Sequence, residues 1–190
     1  HVSVSIAQSL KGGDREKLLE EAQAYLDWAL AILKPAQVWL TAVGGLSGSG
    51  KTTLALQTAE QRPAAVLRTD VLRKALAGIP ETAPLPPSAY SRESAEEVYS
   101  LLDEKAGALL KAGVPVVADG VFASPEQRQA IENVARACSA PFEGIWLDTP
   151  LPTALERLDA RQGDASDATR EVRLQQEAYS LGPVSWQRRM

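Results

Sequence analysis

The chain has 190 residues, 45% of them hydrophobic, enough to bury the core of one domain with a small appendage. Its net charge of −4 argues against a general nucleic-acid binder, which carries a basic surface, and no run approaches the roughly 18 apolar residues of a membrane span. The only histidine is His1 and the only cysteine is Cys138, which excludes histidine general-base catalysis, histidine metal sites and an internal disulfide, and suits a reducing cytoplasm.

The chain opens His1-Val2-Ser3-Val4-Ser5, with no secretory signal pattern and no initiator Met, which reads as a tag remnant or an excised fragment. Residues 14–33 place Leu18, Ala22, Tyr25, Leu26, Ala29, Leu30 and Leu33 at helical spacing, and Pro35 stops that helix. Residues 1–36 are expected to form an appended N-terminal helix or linker, an ordinary packing helix, ahead of a main domain over 37–190. The run Val38-Trp39-Leu40-Thr41-Ala42-Val43 then reads as a buried strand.

Residues Gly45 to Thr52 follow as Gly-Leu-Ser-Gly-Ser-Gly-Lys-Thr, a complete phosphate-binding loop that opens a helix over 51–60. Gly45, Gly48 and Gly50, with Ser47, Ser49 and Thr53, would wrap the chain around a nucleotide's phosphates, with backbone N–H groups and the positive helix end facing them. Lys51 would reach the β- and γ-phosphates of ATP, and the Thr52 hydroxyl would ligate Mg²⁺.

Strand and helix alternate from there. Strand two is expected at 64–68 and a short helix at 70–77, with Gly78 at its end. Pro80, Pro84, Pro86 and Pro87 make 80–90 a loop, and a longer helix covers 92–111. Strand three is expected at 114–118, closing on Asp119-Gly120. Ser124-Pro125-Glu126-Gln127 is a helix start, and the helix continues to Cys138, which reads as core rather than nucleophile. Strand four spans 142–147, and helices at 152–161 and 170–180 flank a polar loop at 162–169. The alternation predicts an α/β fold, a parallel sheet covered on both faces, with ligands beyond the carboxyl ends of its strands.

Each strand end carries something chemical. Asp70, just past strand two, could orient an acceptor hydroxyl and take its proton; as a bland alternative it caps a helix. Arg68 and Arg73 flank it and suit contact with a phosphate or carboxylate, Arg73 equally a surface ion pair. Asp119 could hold Mg²⁺ directly or through water, contact the acceptor, or simply end its strand. Arg128 is either an acceptor-pocket residue or part of a solvated helix face. Tyr90, in the 80–90 loop, would help build the acceptor pocket. Arg157 and Arg161, four apart on one helix face before a polar loop, read as lid arginines that neutralise charge on a transferring phosphoryl group.

The loop at 45–52 and the segments Leu67-Arg68-Thr69-Asp70-Val71-Leu72-Arg73, Val117-Ala118-Asp119-Gly120-Val121-Phe122 and 157–167 together resemble one family. It is the P-loop kinase-like domain found after an aminoglycoside-phosphotransferase-like domain in bifunctional bacterial proteins, related more distantly to gluconate kinases, polynucleotide 5′-hydroxyl kinases, chloramphenicol phosphotransferase and zeta-type toxins. The resemblance covers about residues 38–180. It implies a three-layer P-loop NTPase fold of the nucleoside-monophosphate-kinase type with a small lid, using ATP and Mg²⁺. It also implies Asp70 as base, Arg157 and Arg161 as lid residues, and residues 14–33 as the link from an upstream phosphotransferase-like domain. Relatives of this kind continue through a fifth strand and a final helix, so Val184-Ser185-Trp186 is expected to begin that strand, in a domain truncated after Met190.

The expected activity is phosphoryl transfer from ATP to a hydroxyl of a small, polar metabolite, in the cytoplasm, with no nucleic-acid or membrane partner. The alternatives are an ATP-binding regulatory module with slow ATPase activity, and a kinase of polynucleotide 5′-hydroxyls or nucleotide sugars. The paired arginines before the polar loop favour the first, because a simple switch has no obvious use for them.

Overall fold

The strand β1 (Leu40–Gly45) is buried along its whole length, and its period-two pattern feeds two cores. Leu40 and Ala42 enter one hydrophobic cluster, while Val43, with Trp39 and Val117, enters another on the opposite face. The computed structural model describes residues 13–33, 37–81, 83–160 and 166–190. Its contacts divide the chain into two compact units, His1–Ala36 and Gln37–Met190. In the first, α1 (Gly13–Leu33) is the helix expected there.

In the second unit, α2 (Lys51–Gln61), β2 (Ala65–Arg68), α3 (Thr69–Leu76), α4 (Arg92–Lys111) and β3 (Val116–Asp119) follow β1. Then come α5 (Pro125–Ala137), β4 (Phe142–Leu147), α6 (Leu151–Asp159), α7 (Arg170–Gln176) and β5 (Gln187–Arg189). The five strands form one sheet in the order β2-β3-β1-β4-β5, with every neighbouring pair parallel. α4 and α5 cover one face through Val98, Leu102, Ala106, Ile131 and Ala135, and α2 covers the other through Ala55. This is the α/β architecture expected from the alternation of strands and helices.

Several boundaries differ from the expectation, each for a local reason. α3 begins at Thr69 with Arg68 as its N-cap, so Asp70 stands inside the first turn and does not cap the helix. β3 starts two residues late. Val114 still closes α4 through its N–H to the Leu109 carbonyl, and Pro115 has no N–H to give the ladder. Asp119 is therefore the last residue of the strand itself, in register with Arg68. The proline-rich loop holds a 3-10 turn, Pro87–Tyr90. α5 starts as expected, with Ser124 and Gln127 forming a reciprocal capping box. α6 ends at Asp159 and α7 at Gln176, both earlier than expected.

Residues 184–186 do not begin the fifth strand. Trp186 instead turns into the core against Phe122 and Phe142, with ring centroids 5.1 and 5.9 Å away, and β5 pairs with β4 only from Gln187. Gly144 makes room for that indole, since a Cβ there would lie 2.4 Å from the Trp186 Cγ. Cys138 ends α5 and packs against the same core.

Candidate active site

A cavity of about 660 Å³ lies beyond the carboxyl ends of β1, β2 and β3. The phosphate-binding loop forms one wall through Ser47, Gly48, Gly50, Lys51, Thr52 and Thr53. The loop's shape depends on its glycines. Gly48 has φ 78°, and a Cβ on it would come within 2.5 Å of the Ala154 carbonyl oxygen. α2 starts at Gly50 with no side-chain cap and no acidic residue in its first turn, which leaves its first N–H groups and its dipole to an anion. Gly45 and Ser49 are buried behind this surface, and the Ser49 hydroxyl has no partner among the described residues.

Lys51 and Thr52 extend from that helix start. The Lys51 ammonium donates to the Leu46 carbonyl at 3.0 Å. The Thr52 hydroxyl donates to Asp119 Oδ2 at 2.7 Å. Asp119 is 4% exposed, and burial pushes its carboxyl above the usual carboxylate range. The Lys51 charge, the Thr52 hydrogen bond and Arg68, whose Nε lies 3.5 Å from the same oxygen, pull it back down.

A divalent cation would favour the ionised form further. Adjacent hydroxyl and carboxylate oxygens are donors that Mg²⁺ takes alongside phosphate oxygens and water, so the residues present fit the metal. Among the described residues no cluster of three or more acidic, histidine or cysteine side chains competes with this pair.

Asp70 lines the cavity across from the loop, together with Arg68, Arg73 and Tyr90. Arg73 donates to the Ala89 carbonyl at 2.8 Å and lies over the Tyr90 ring at 5.2 Å, while its Nε is buried without a hydrogen-bond partner among the described residues. The Tyr90 hydroxyl donates to Asp167 Oδ2 at 3.2 Å. Burial and the Asp167 charge together push that phenol's pKa well up.

Arg157, exposed on α6, reaches the loop from outside the cavity and donates to the Ser49 carbonyl at 3.2 Å. Arg161 lies outside the described residues.

Arg128 is a correction. It does not line the cavity and is 3% exposed. Its guanidinium donates to four backbone carbonyls, of Phe122, Ala123, Leu181 and Pro183, at 2.6–3.2 Å. It clamps the loop after β3 to the segment before β5, and its donors are committed there rather than to an acceptor.

Other residues of the site were not singled out for a role by the sequence. Asp167, in the polar stretch after α6, accepts from Lys74, the Leu85 N–H and Tyr90. Gln176 at the end of α7 accepts from the Ser47 N–H at 2.8 Å. Tyr99 accepts from the Phe122 N–H at 2.7 Å, which steadies a residue at φ 50°. Each bond joins positions far apart in the chain, which periodicity cannot register.

A family model described as an AAA domain matches residues 40–181. An uncharacterized protein of Mycobacterium tuberculosis is 33% identical over 156 residues, which is 80% of this chain and 31% of the relative. An uncharacterized protein of Mycobacterium bovis matches at the same identity and coverage. The chain spans 31% of the length of these curated relatives.

Among solved structures, the APS kinase of Mycobacterium tuberculosis in complex with AMPPNP and APS is 25% identical, with a TM-score of 0.53 over 67% of this chain and 71% of that one. A sugar kinase from Janibacter is 21% identical, with a TM-score of 0.55 over 80% of this chain and 83% of that one. A gluconokinase from Sinorhizobium meliloti is 19% identical, with a TM-score of 0.55 over 80% and 82%. The shared fold is the P-loop kinase fold.

Proposed function

The chain belongs to the AAA domain family, and on that premise we propose that it is an ATP-dependent phosphotransferase acting on a hydroxyl of a small, polar metabolite. One observation carries the reading. Asp70 lines the same cavity as the phosphate-binding loop, Thr52 and Asp119, so an acceptor and a triphosphate can meet there. The kinase folds of the APS kinase, the sugar kinase and the gluconokinase support it.

In this mechanism the acceptor oxygen bonds to the γ-phosphorus of ATP. The bond from that phosphorus to the β–γ bridging oxygen breaks, and ADP leaves with its electrons. Asp70 orients the hydroxyl and takes its proton. Lys51 exchanges the Leu46 carbonyl for the β- and γ-phosphates, and the loop amides hold them. Thr52 and Asp119 would hold Mg²⁺, which when bound neutralises charge on the phosphate oxygens.

Arg157 and Arg161 act as lid residues on the charge of the transferring group. Arg68, Arg73 and Tyr90 form the acceptor pocket, and the buried Nε of Arg73, without a hydrogen-bond partner among the described residues, supports an oxygen-rich acceptor. The greater length of the curated relatives leaves room for an upstream aminoglycoside-phosphotransferase-like domain joined through residues 1–36, and we extend the proposal to that arrangement, working in the cytoplasm without a nucleic-acid partner.

The test is ADP formation from Mg·ATP with a panel of sugars, sugar acids, nucleosides and aminoglycosides, for the wild type and Asp70→Asn. A compound that raises turnover well above the water background, with that gain reduced about 100-fold or more in the variant while ATP still binds, supports the reading. Tight ATP binding with no stimulation by any compound, and no effect of the substitution, would favour a regulatory module.

A further inference from the structure

Gln176 is 6% exposed and lines the cavity, and its side chain is anchored in a way that fixes which end faces which partner. The Ser47 N–H is a donor only, so the amide oxygen of Gln176 must face it, at 2.8 Å. That leaves the NH₂ group as the far corner of the amide, with no hydrogen-bond partner among the described residues. The NH₂ group is open to the cavity that Gln176 lines, so it is available to donate to a ligand bound there.

The place of the anchor says which ligand group that is. Ser47 follows Leu46, whose carbonyl receives the Lys51 ammonium at 3.0 Å. Lys51 is the side chain that serves the β- and γ-phosphates in such a loop. Gln176 therefore stands beside the part of the loop that serves the β- and γ-phosphates. The anchor itself is rigid, because Gly48, the next residue of the loop, rests against the Ala154 carbonyl of α6.

Resting on the phosphotransferase reading above, we propose that Gln176 is a further catalytic residue, whose amide NH₂ donates to an oxygen of the γ-phosphoryl group as it transfers. A neutral donor held in place before the reaction stabilises charge that spreads over the equatorial oxygens, with no reorganisation at the moment of transfer. The Ser47 N–H serves to orient it. The same bond ties the last residue of α7, just beyond the lid region, to the loop that binds ATP.

The test needs no knowledge of the acceptor. Calorimetry would compare the binding of Mg·ADP alone with that of Mg·ADP plus aluminium fluoride, which mimics the phosphoryl group in flight. Gln176→Glu keeps an oxygen for the Ser47 N–H but has no donor to offer, and Gln176→Met removes both functions without adding charge. In the wild type aluminium fluoride should tighten ADP binding. In both variants Mg·ADP affinity should stay within about three-fold, while the aluminium fluoride gain falls on the order of 10- to 100-fold, the range of a single lost donor to a developing oxyanion.

A gain retained in Gln176→Glu would overturn the proposal and leave Gln176 as a mere anchor for the loop. Equal losses of both affinities in the two variants would overturn it as well, by showing that the residue only shapes the site. A wild type with no aluminium fluoride gain at all would instead count against phosphoryl transfer itself, and the inference would fall with that reading. Melting temperatures of both variants near the wild-type value confirm that folding is intact.

Discussion

Arg128 stands in the first turn of α5, where an arginine usually faces water, yet it is buried and holds four carbonyls from two distant segments. Its guanidinium has the five forked donors that such a bridge needs, which the single ammonium of lysine does not supply. Arg128→Met should therefore lower unfolding stability by about 3 kcal/mol or more, because buried carbonyls lose their partners. Chemical denaturation measures that loss, and ATP affinity of the folded variant should stay within about two-fold, since no atom of Arg128 reaches the cavity. A large fall in ATP affinity with little change in stability would return the residue to the site.

The contrast with Lys51, Thr52 and Asp70 shows what single residues disclose. A motif of fixed spacing followed by a helix, and a carboxylate at a strand end, point into the cavity by geometry that the sequence carries. Arginine in a first turn reads the same whether water or a folded-back segment lies above it. Gln176 is harder still, because its partner Ser47 lies 129 positions away.

Elements were legible where local signals agreed. α4 is bounded by Ser91, whose side chain accepts from Ser94 N–H, and by Gly113 at φ 82°, and both limits follow from the residues. β5 was misplaced because three exposed residues hold their place only by pairing with β4 after Trp186 has docked. The 3-10 turn in the proline-rich loop was hidden for a related reason: what steadies that loop comes from outside it.

Lys74, with its side chain 1% exposed, donates to the Glu81 carbonyl and pairs with Asp167 at 3.1 Å. Asp167 also accepts from the Leu85 N–H at 3.0 Å and from Tyr90. One carboxylate thus straps the stretch before α7 to the loop that carries Tyr90. Asp167→Ala leaves a buried ammonium without its counter-charge and should reduce stability by about 3 kcal/mol, with new protease cleavage between residues 80 and 90. Asp167→Asn keeps oxygen for the loop N–H and should lose less than the alanine variant. Protease resistance unchanged in both variants would show that the loop holds its shape without the strap.

At the scale of the molecule, the alternation of strands and helices made the parallel sheet legible, but not its order. Strand order depends on which crossovers pack over which face, and the buried stripes of α4 and α5 on one side and of α2 on the other settle that only when they meet. The close packing of α4 leaves one carboxylate poorly placed. Asp103 follows the fully buried Leu102, and its Oδ1 is buried without a partner among the described residues. Burial alone pushes its pKa up to about 6.

The unfolded chain releases that proton near pH 4, as model carboxylates do. Between about pH 4 and pH 6 the folded state holds more protons than the unfolded one, so stability from this group falls as pH rises through that window and stays low above it. A shift of about two units corresponds to about 3 kcal/mol at most, and partial exposure reduces it to about 1–2 kcal/mol. Asp103→Asn removes the ionisation and should be more stable than the wild type by about that amount at pH 8, with the difference gone at pH 4. Denaturation without nucleotide or Mg²⁺ at both pH values measures it. The raised carboxyl of Asp119 titrates in the same direction, but it is present in both proteins and cancels in the difference. An offset independent of pH would mean that the Asp103 carboxylate ionises as freely in the folded chain as in water.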